Sequence, residues 1–228
     1  MPLVKAKSNW FNNLSDFDLV DDFTQANASN ILAQDNRNGA FQTNVGTTDG
    51  PGIYNTETHT ATNGASGLSG ANSYVFSQFA RLSFAANMRI INLADGTNSY
   101  RILIGFNSSN SATDSGLTRS AGLYYSNSNA NWQAITYNSS VGTTTDTGIA
   151  AVADGTYQTF CVRANGTSSV QFLINGAIVA THTTNIPSSF VTPYVTIAKS
   201  AGTTSRTIRL DYIRFSGDGN TRTLLGTI

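Results

Sequence analysis

The chain has 228 residues, of which 39% are hydrophobic and 11% charged, and its 13 basic residues equal its 13 acidic residues in number. Zero net charge without a basic stripe removes the electrostatic attraction to phosphates that drives nucleic-acid binding, so no nucleic-acid partner is predicted. Charged residues fall well below the usual fraction of about 25%, and the Ser, Thr, Asn and Gly residues in their place favour strands and turns over helices.

Residues 1–20 are predicted to form an N-terminal arm that precedes a single domain over residues 21–228. The arm is expected to dock on a partner through its apolar side chains, with a strand of the domain itself as the alternative. These docking candidates are Trp10, Phe11, Leu14 and Phe17. The lysines near the start precede no apolar h-region, and no run of roughly 18 apolar residues occurs, so neither a signal peptide nor a membrane span is predicted. We therefore expect synthesis in the cytoplasm.

Two short stretches place oxygen-bearing side chains next to glycines: DNRNG at residues 35–39 and SGDGN at residues 216–220. Both lack the terminal glutamate that completes an EF-hand loop. We interpret them as turns, with calcium binding left open as the alternative. No cofactor is predicted.

From Phe76 to Ile90 the apolar residues recur with a period of two, while Arg81, Ser83 and Arg89 occupy alternate positions. This pattern predicts a long strand with one dry face and one wetter face. Shorter strand-like stretches follow, separated by turn signals such as Asp-Gly and Asn-Gly; they read SYRILIGFNSS, GLYYSN, NWQAITYN, YQTFCVRAN, PYVTIAKS and RTIRLDYIRFSG. Repeated short strands of this kind predict an all-β fold, a two-sheet antiparallel β-sandwich or jelly roll.

The clearest local signal is a β-hairpin in VQFLINGAIVATHTTNIP, residues 170–187. Asn175-Gly176 suits a type I′ turn, which needs positive φ at both central residues. Strands are therefore predicted over residues 170–174 and 177–182. His182 follows the second strand and is expected to be a surface or interface residue, as is His59. Cys161, in TFCVR, is expected to be a buried or half-buried structural thiol.

The sequence contains few of the residue patterns that catalysis requires. A glycosidase needs a pair of carboxylates, whereas the chain has one glutamate, Glu57, and most of its aspartates lie in turns. No Gly-x-Ser-x-Gly elbow occurs between a strand and a helix. We therefore predict that the protein is not an enzyme. Tyr125 and Trp132 are candidates for stacking on a sugar ring, with a place in the core as the alternative.

Residues 122–132 (GLYYSNSNANW), 147–151 (TGIAA), 157–187 and 196–215 (TIAKSAGTTSRTIRLDYIRF) resemble the concanavalin A-like, laminin G-like jelly-roll domain of tailed-bacteriophage virion proteins. The resemblance covers about residues 75–215, with DDF at 21–23 as a first strand. It implies an architectural or adhesive module with no catalytic residues. It also implies that Ile174 and Ile178 face the opposite sheet.

The resulting hypothesis is a phage virion structural protein: a capsid decoration, head-fibre or tail-appendage subunit made in the host cytoplasm without a signal peptide. Its expected partners are other virion proteins, in the capsid or the tail, and further copies of itself, with a trimer favoured. Neither nucleic acid nor membrane is an expected partner. The alternative is a carbohydrate-binding adhesion module that contacts host or environmental glycans through Tyr125 and Trp132.

Overall fold

The computed structural model of the protein describes residues 17–23, 32–37, 41–42, 52–58, 60–70, 73–108 and 117–219. Across these ranges the chain forms two antiparallel β-sheets packed face to face, together with one turn of 3₁₀ helix (Phe76–Gln78). The predicted all-β sandwich is therefore confirmed. No helix in the described part of the chain is long and apolar enough to cross a membrane.

The larger sheet has eight strands. They are β1 (Phe17–Asp21), β3 (Phe41–Gln42), β4 (Tyr54–Glu57), β6 (Phe79–Ile90), β11 (Gln158–Asn165), β12 (Ser169–Ile174), β13 (Ala177–His182) and β15 (Thr207–Gly219). Their order is β13-β12-β11-β6-β15-β4-β3, and β1 also pairs with β15. The centre of this sheet thus joins strands from distant parts of the chain.

The smaller sheet has seven strands. They are β2 (Leu32–Arg37), β5 (Ala65–Gly70), β7 (Tyr100–Asn107), β8 (Ser120–Ser126), β9 (Asn131–Asn138), β10 (Val141–Ala150) and β14 (Thr192–Lys199). Their order is β10-β9-β8-β7-β14-β5-β2. Both β2, which includes Asp35, and β15, which runs to Gly219, are strands where the sequence predicted turns. Those two turn predictions are wrong over the described residues, because neighbouring strands hydrogen-bond to both stretches.

The core lies between the sheets and follows from the period of two along the strands. On β6 the even-numbered residues Leu82, Phe84, Ala86, Met88 and Ile90 are buried, as predicted. Burying side chains of this size stabilises a fold by roughly 1.5–3 kcal/mol each. The predicted strand began at Phe76, but Phe76–Gln78 form the 3₁₀ turn and Ala80 is exposed. The odd-numbered residues from Arg81 to Arg89 lie on the outer face of the larger sheet, whereas Phe79 is buried.

The hairpin of β12 and β13 forms as predicted, with φ of 51° at Asn175 and 81° at Gly176. Ile174 is buried, but Ile178 is 55% exposed, so the expectation that Ile178 faces the opposite sheet is wrong. The two-residue turn pairs Ile174 with Ala177 and Leu173 with Ile178, so Ile178 lies on the face opposite to that of Ile174. The register shift lies farther from the turn, between Leu173 and Phe172, and places Ala180 opposite Phe172.

His182 is buried rather than on the surface, which corrects the sequence prediction. Its Nδ1 lies 2.9 Å from the Oγ1 of Thr136, and its Nε2 lies 3.0 Å from the Oγ1 of Thr145. The Phe172 ring meets the imidazole edge-on at 4.9 Å between centroids. Since Thr136 is on β9 and Thr145 on β10, the imidazole joins the edge of one sheet to the edge of the other.

Burial lowers the pKa of His182 from its ordinary value of 6.5. The unfolded chain then binds a proton more readily than the folded chain, so we expect stability to fall as the pH decreases through 6.5 towards the folded-state pKa. Urea denaturation across this range measures the effect. His182→Gln, compared in a His59→Gln background so that no other imidazole titrates, should show a weaker pH dependence. Equal pH dependence in the two proteins would contradict the prediction.

Phe17, predicted to dock on a partner, packs on its own domain instead. β1 begins at Phe17 and pairs with β15, and the Phe17 ring lies 4.8 Å from the ring of Phe215. The side-chain alternation of β1 turns this ring towards the core. Residues 17–20 therefore form a strand of the sandwich, which was the alternative to a docking arm. The other docking candidates, Trp10, Phe11 and Leu14, lie outside the described residues.

Candidate functional site

A groove of about 530 Å³ lies on the outer face of the larger sheet. Its volume is within the roughly 300–1,000 Å³ typical of small-molecule sites. Four strands contribute its lining. The residues that line it, which we call the outer-face groove, are Phe17 and Asp18 of β1, Arg81, Ser83 and Ala85 of β6, Cys161 and Arg163 of β11, and Arg214, Ser216 and Asp218 of β15.

Strand register explains the shape of the groove. Ser83 lies opposite Arg163 on one side and Ser216 on the other, while Ala85 lies opposite Cys161. Because side chains alternate between faces, all of these residues share the outer face. Small side chains therefore form the floor, and longer charged side chains rise around it.

Two ion pairs line the groove. Arg214 donates two hydrogen bonds to the carboxylate of Asp18, from Nε to Oδ1 at 2.8 Å and from Nη2 to Oδ2 at 2.7 Å. Arg81 lies 3.9 Å from Asp218. The hydrogen bond from Arg214 lowers the pKa of Asp18 and raises the pKa of Arg214 itself, so this pair is ionised at neutral pH.

The third arginine of the groove, Arg163, has no ion pair or side-chain hydrogen bond with any other residue that the structure describes. It is half-buried at the centre of β11, beside the small side chains of the floor. The charges of the groove are thus unequal: three arginines face two aspartates. This leaves one cation available to a ligand.

Cys161 is half-buried, as predicted, and its Sγ lies 3.4 Å from the Oγ of Ser83. The thiol therefore belongs to the groove floor. His59 lies outside the described residues. Within the described part of the chain, no group of three or more His, Cys, Asp or Glu side chains is arranged to hold a metal ion.

The two residues predicted to stack on a sugar are inside the sandwich. Trp132 is 0% exposed and Tyr125 is 4% exposed. The Trp132 ring lies 4.5 Å from Phe160 and 5.8 Å from Tyr125, and the Tyr125 hydroxyl accepts a hydrogen bond from the backbone N–H of Ala94. Neither ring is presented to a ligand, so their proposed stacking role is corrected to the core role that the sequence left as the alternative.

Apolar side chains cover the outer face of the smaller sheet, whereas the outer face of the larger sheet is open. Leu103, Leu117, Tyr124, Ile135 and Tyr194 form a second buried apolar cluster there. Every residue of β8 is buried in consequence. The open, polar face of the sandwich is therefore the one that carries the groove.

The groove residues were not singled out from the sequence, although one signal for them was present. Arg81 and Ser83 occupy the wetter face of the long period-two strand, and Arg163 and Arg214 alternate with apolar residues in the same way. That alternation identifies a solvent-facing side chain. It does not show that β11, β6 and β15 are neighbours, since these strands are far apart in the chain.

Comparison with solved structures shows the same fold in several proteins. The protein of unknown function SO2946 from Shewanella oneidensis MR-1 is 15% identical, with a TM-score of 0.61 over 94% of this chain and 90% of that one. The carbohydrate recognition domain of Emp47p is 11% identical, with a TM-score of 0.60 over 88% and 95% of the two chains. The β-glucanase of Bacillus licheniformis is 14% identical, with a TM-score of 0.53 over 88% and 97%. These proteins are jelly-roll sandwiches, as predicted here.

At the level of sequence, no curated protein matches the chain. A family model described as SO2946-like, C-terminal domain, matches residues 49–211. That match covers well over half of the chain and contains five of the ten groove residues. The chain therefore belongs to the family of SO2946-like C-terminal domains.

Proposed function

We propose that this domain is a carbohydrate-binding module and that its ligand lies in the outer-face groove. The observation that carries the proposal is the groove itself, a polar depression with a floor of small side chains on the open face of a sandwich. A carbohydrate recognition domain with this fold supports the proposal as a precedent. The proposal replaces Tyr125 and Trp132 with groove residues as the candidate ligand contacts.

The lining of the groove suits a sugar. Sugar hydroxyls both donate and accept hydrogen bonds, and the groove offers the hydroxyls of Ser83 and Ser216 together with the carboxylate oxygens of Asp18 and Asp218. In ligand-binding sites generally, a small number of precisely placed polar groups fixes the orientation of the ligand.

Binding rather than hydrolysis is the activity that we propose. Most glycosidases use one carboxyl group with a raised pKa as the general acid, next to a second carboxylate. In this groove Asp18 has a lowered pKa because Arg214 hydrogen-bonds to it. Asp218, the other carboxylate of the lining, lies beside Arg81. The β-glucanase shares the fold with this chain. In this chain, however, each groove carboxylate is paired with an arginine.

Cys161 provides a direct test, because it is the only cysteine in the sequence and it lines the groove. We expect a bulky maleimide on Cys161 to abolish glycan binding, and a bound glycan to slow the labelling reaction severalfold, since both occupy the same space. A panel of neutral and acidic oligosaccharides, with labelling followed by mass spectrometry, measures both effects.

The control for this test is Cys161→Ala, which should bind the same glycan and be unaffected by maleimide treatment. A glycan that binds tightly without changing the rate of labelling would place the site elsewhere on the protein. Failure of every oligosaccharide in the panel to bind would overturn the proposed function.

The virion role, the virion partners, the trimer and the location in a particle rest on the sequence resemblance alone. These expectations stay predictions. They are compatible with glycan binding, because a module that binds sugars can also be part of a larger assembly.

A further inference from the structure

The charges of this protein balance overall but are distributed unevenly. The three central strands of the larger sheet, β11, β6 and β15, carry five arginines and two aspartates. All five arginines alternate with buried residues and therefore lie on the outer face. They are Arg81, Arg89, Arg163, Arg209 and Arg214. This is half of the ten arginines in the sequence, concentrated on the open face of one sheet.

Within the groove, the guanidinium of Arg163 is the cation that the neighbouring carboxylates leave uncompensated. Arg214 is held by Asp18, and Arg81 lies beside Asp218. A guanidinium presents a planar fork of N–H donors that matches both oxygens of a carboxylate. Because Arg163 already lies half-buried in the groove, less side-chain freedom is lost when a ligand binds there.

The neighbours of Arg163 offer hydroxyl groups rather than further charge. Ser83 is its partner in the register on β6, and Ser216 follows on β15 in the same row across the sheet. A ligand that places a carboxylate on Arg163 therefore brings its adjacent atoms over two hydroxyls. A sugar ring that bears both a carboxylate and free hydroxyls has this combination of groups.

Further arginines lie along the same strands beyond the groove, together with Asp211, which accepts a hydrogen bond from Asn87. Arg89 and Arg209 lie opposite each other where β6 and β15 pair, and the Arg89 guanidinium sits 5.4 Å from the centre of the Tyr157 ring. From Arg81 to Arg89 the strand covers about 26 Å at about 3.3 Å per residue. That length accommodates several sugar units along one strand, which favours a polymer over a single sugar.

We infer that the ligand of the outer-face groove is an acidic glycan rich in uronate residues, with one carboxylate held by Arg163 and further units running along β6. This inference rests on the proposed carbohydrate-binding function and adds the chemical class of the ligand. The attraction between the carboxylate and the arginine acts on a solvent-exposed face, where dissolved ions screen it. Binding should therefore weaken as salt is added.

The test compares each acidic oligosaccharide with its own carboxyl-reduced form, which keeps the sugar backbone and removes the charge. Oligogalacturonate, oligomannuronate and hyaluronan fragments serve as probes, and calorimetry on the full chain measures the dissociation constants. We expect at least one acid form to bind about tenfold or more tightly than its reduced form, as befits a charge-assisted bidentate contact. Added sodium chloride should reduce that difference.

Variants assign the effect to Arg163. Arg163→Gln should abolish the preference for the acid form without lowering the melting temperature, and Arg163→Lys, which retains the charge but not the fork, should restore part of it. Arg101→Gln makes the same change of charge on β7 of the smaller sheet and should leave the preference intact. A preference that survives Arg163→Gln would overturn the assignment.

The outcomes separate the inference from the function on which it rests. Equal binding of acid and reduced forms, or protection of Cys161 by neutral glycans alone, would overturn the acidic-ligand inference and leave carbohydrate binding standing. If no glycan of either kind binds or protects Cys161, both the inference and the proposed function fail.

Discussion

Replacing Trp132 with alanine is expected to lower the free energy of unfolding by about 3–5 kcal/mol, the range typical of deleting a large aromatic side chain from a packed core. Trp132 is fully buried, and its ring packs against Phe160 at 4.5 Å and Tyr125 at 5.8 Å. Truncation removes these contacts and leaves a cavity between the two sheets. Urea denaturation followed by circular dichroism measures the loss.

The matched control is Trp132→Phe, which keeps an apolar ring in the same place and should lose clearly less stability than Trp132→Ala. Glycan affinity of the folded Trp132→Phe protein should be unchanged, because this side chain does not reach the outer face. A Trp132→Ala protein of normal stability that no longer binds glycans would instead restore the stacking role predicted from the sequence.

Replacing Gly105 with alanine is expected to cost at least about 3 kcal/mol and to reduce the yield of folded protein sharply. Gly105 of β7 has φ of 144°, a conformation that other residues rarely adopt, and it lies opposite Gly122 of β8. A Cβ atom at this position would overlap the carbonyl oxygen of Ala121 and lie 2.7 Å from the Cα of Gly122. Backbone atoms cannot move aside as a side chain would, so the two strands would have to separate.

Gly96→Ala is the control for this substitution. A Cβ atom at Gly96 meets nothing within 4 Å, so the variant should fold with the stability of the original protein to within about 0.5 kcal/mol. Soluble yield and urea denaturation of both variants test the pair. Equal stability of the two would contradict the close approach of β7 and β8.

These predictions and the groove variants separate stability from binding because the two depend on opposite faces of the same strands. On β6, Phe84 points into the core while Ser83 points into the groove. Substitutions on the inner face should therefore change unfolding before binding. Substitutions such as Arg163→Gln on the outer face should change binding and leave unfolding nearly unchanged, since Arg163 makes no ion pair or side-chain hydrogen bond with any other described residue.

Features that depend on neighbours in the chain were determined by the sequence alone. The alternation along β6 and the Asn175-Gly176 turn each require only a few consecutive residues, because a strand buries every second side chain and a type I′ turn needs positive φ at two positions. From such local patterns, the all-β class and the sandwich were predicted correctly.

For some side chains the local sequence pattern does not predict whether they are exposed or buried. The tertiary structure alone decided this for them. Tyr124 and Tyr125 are adjacent on β8, and both are buried, because one faces the core and the other the apolar cluster outside the smaller sheet. The groove likewise exists because β6 lies between β11 and β15, which brings Ser83 next to Arg163 across 80 positions of the chain. Pairing between such distant strands depends on all the strands packing at once, so no local stretch of this sequence encodes the site.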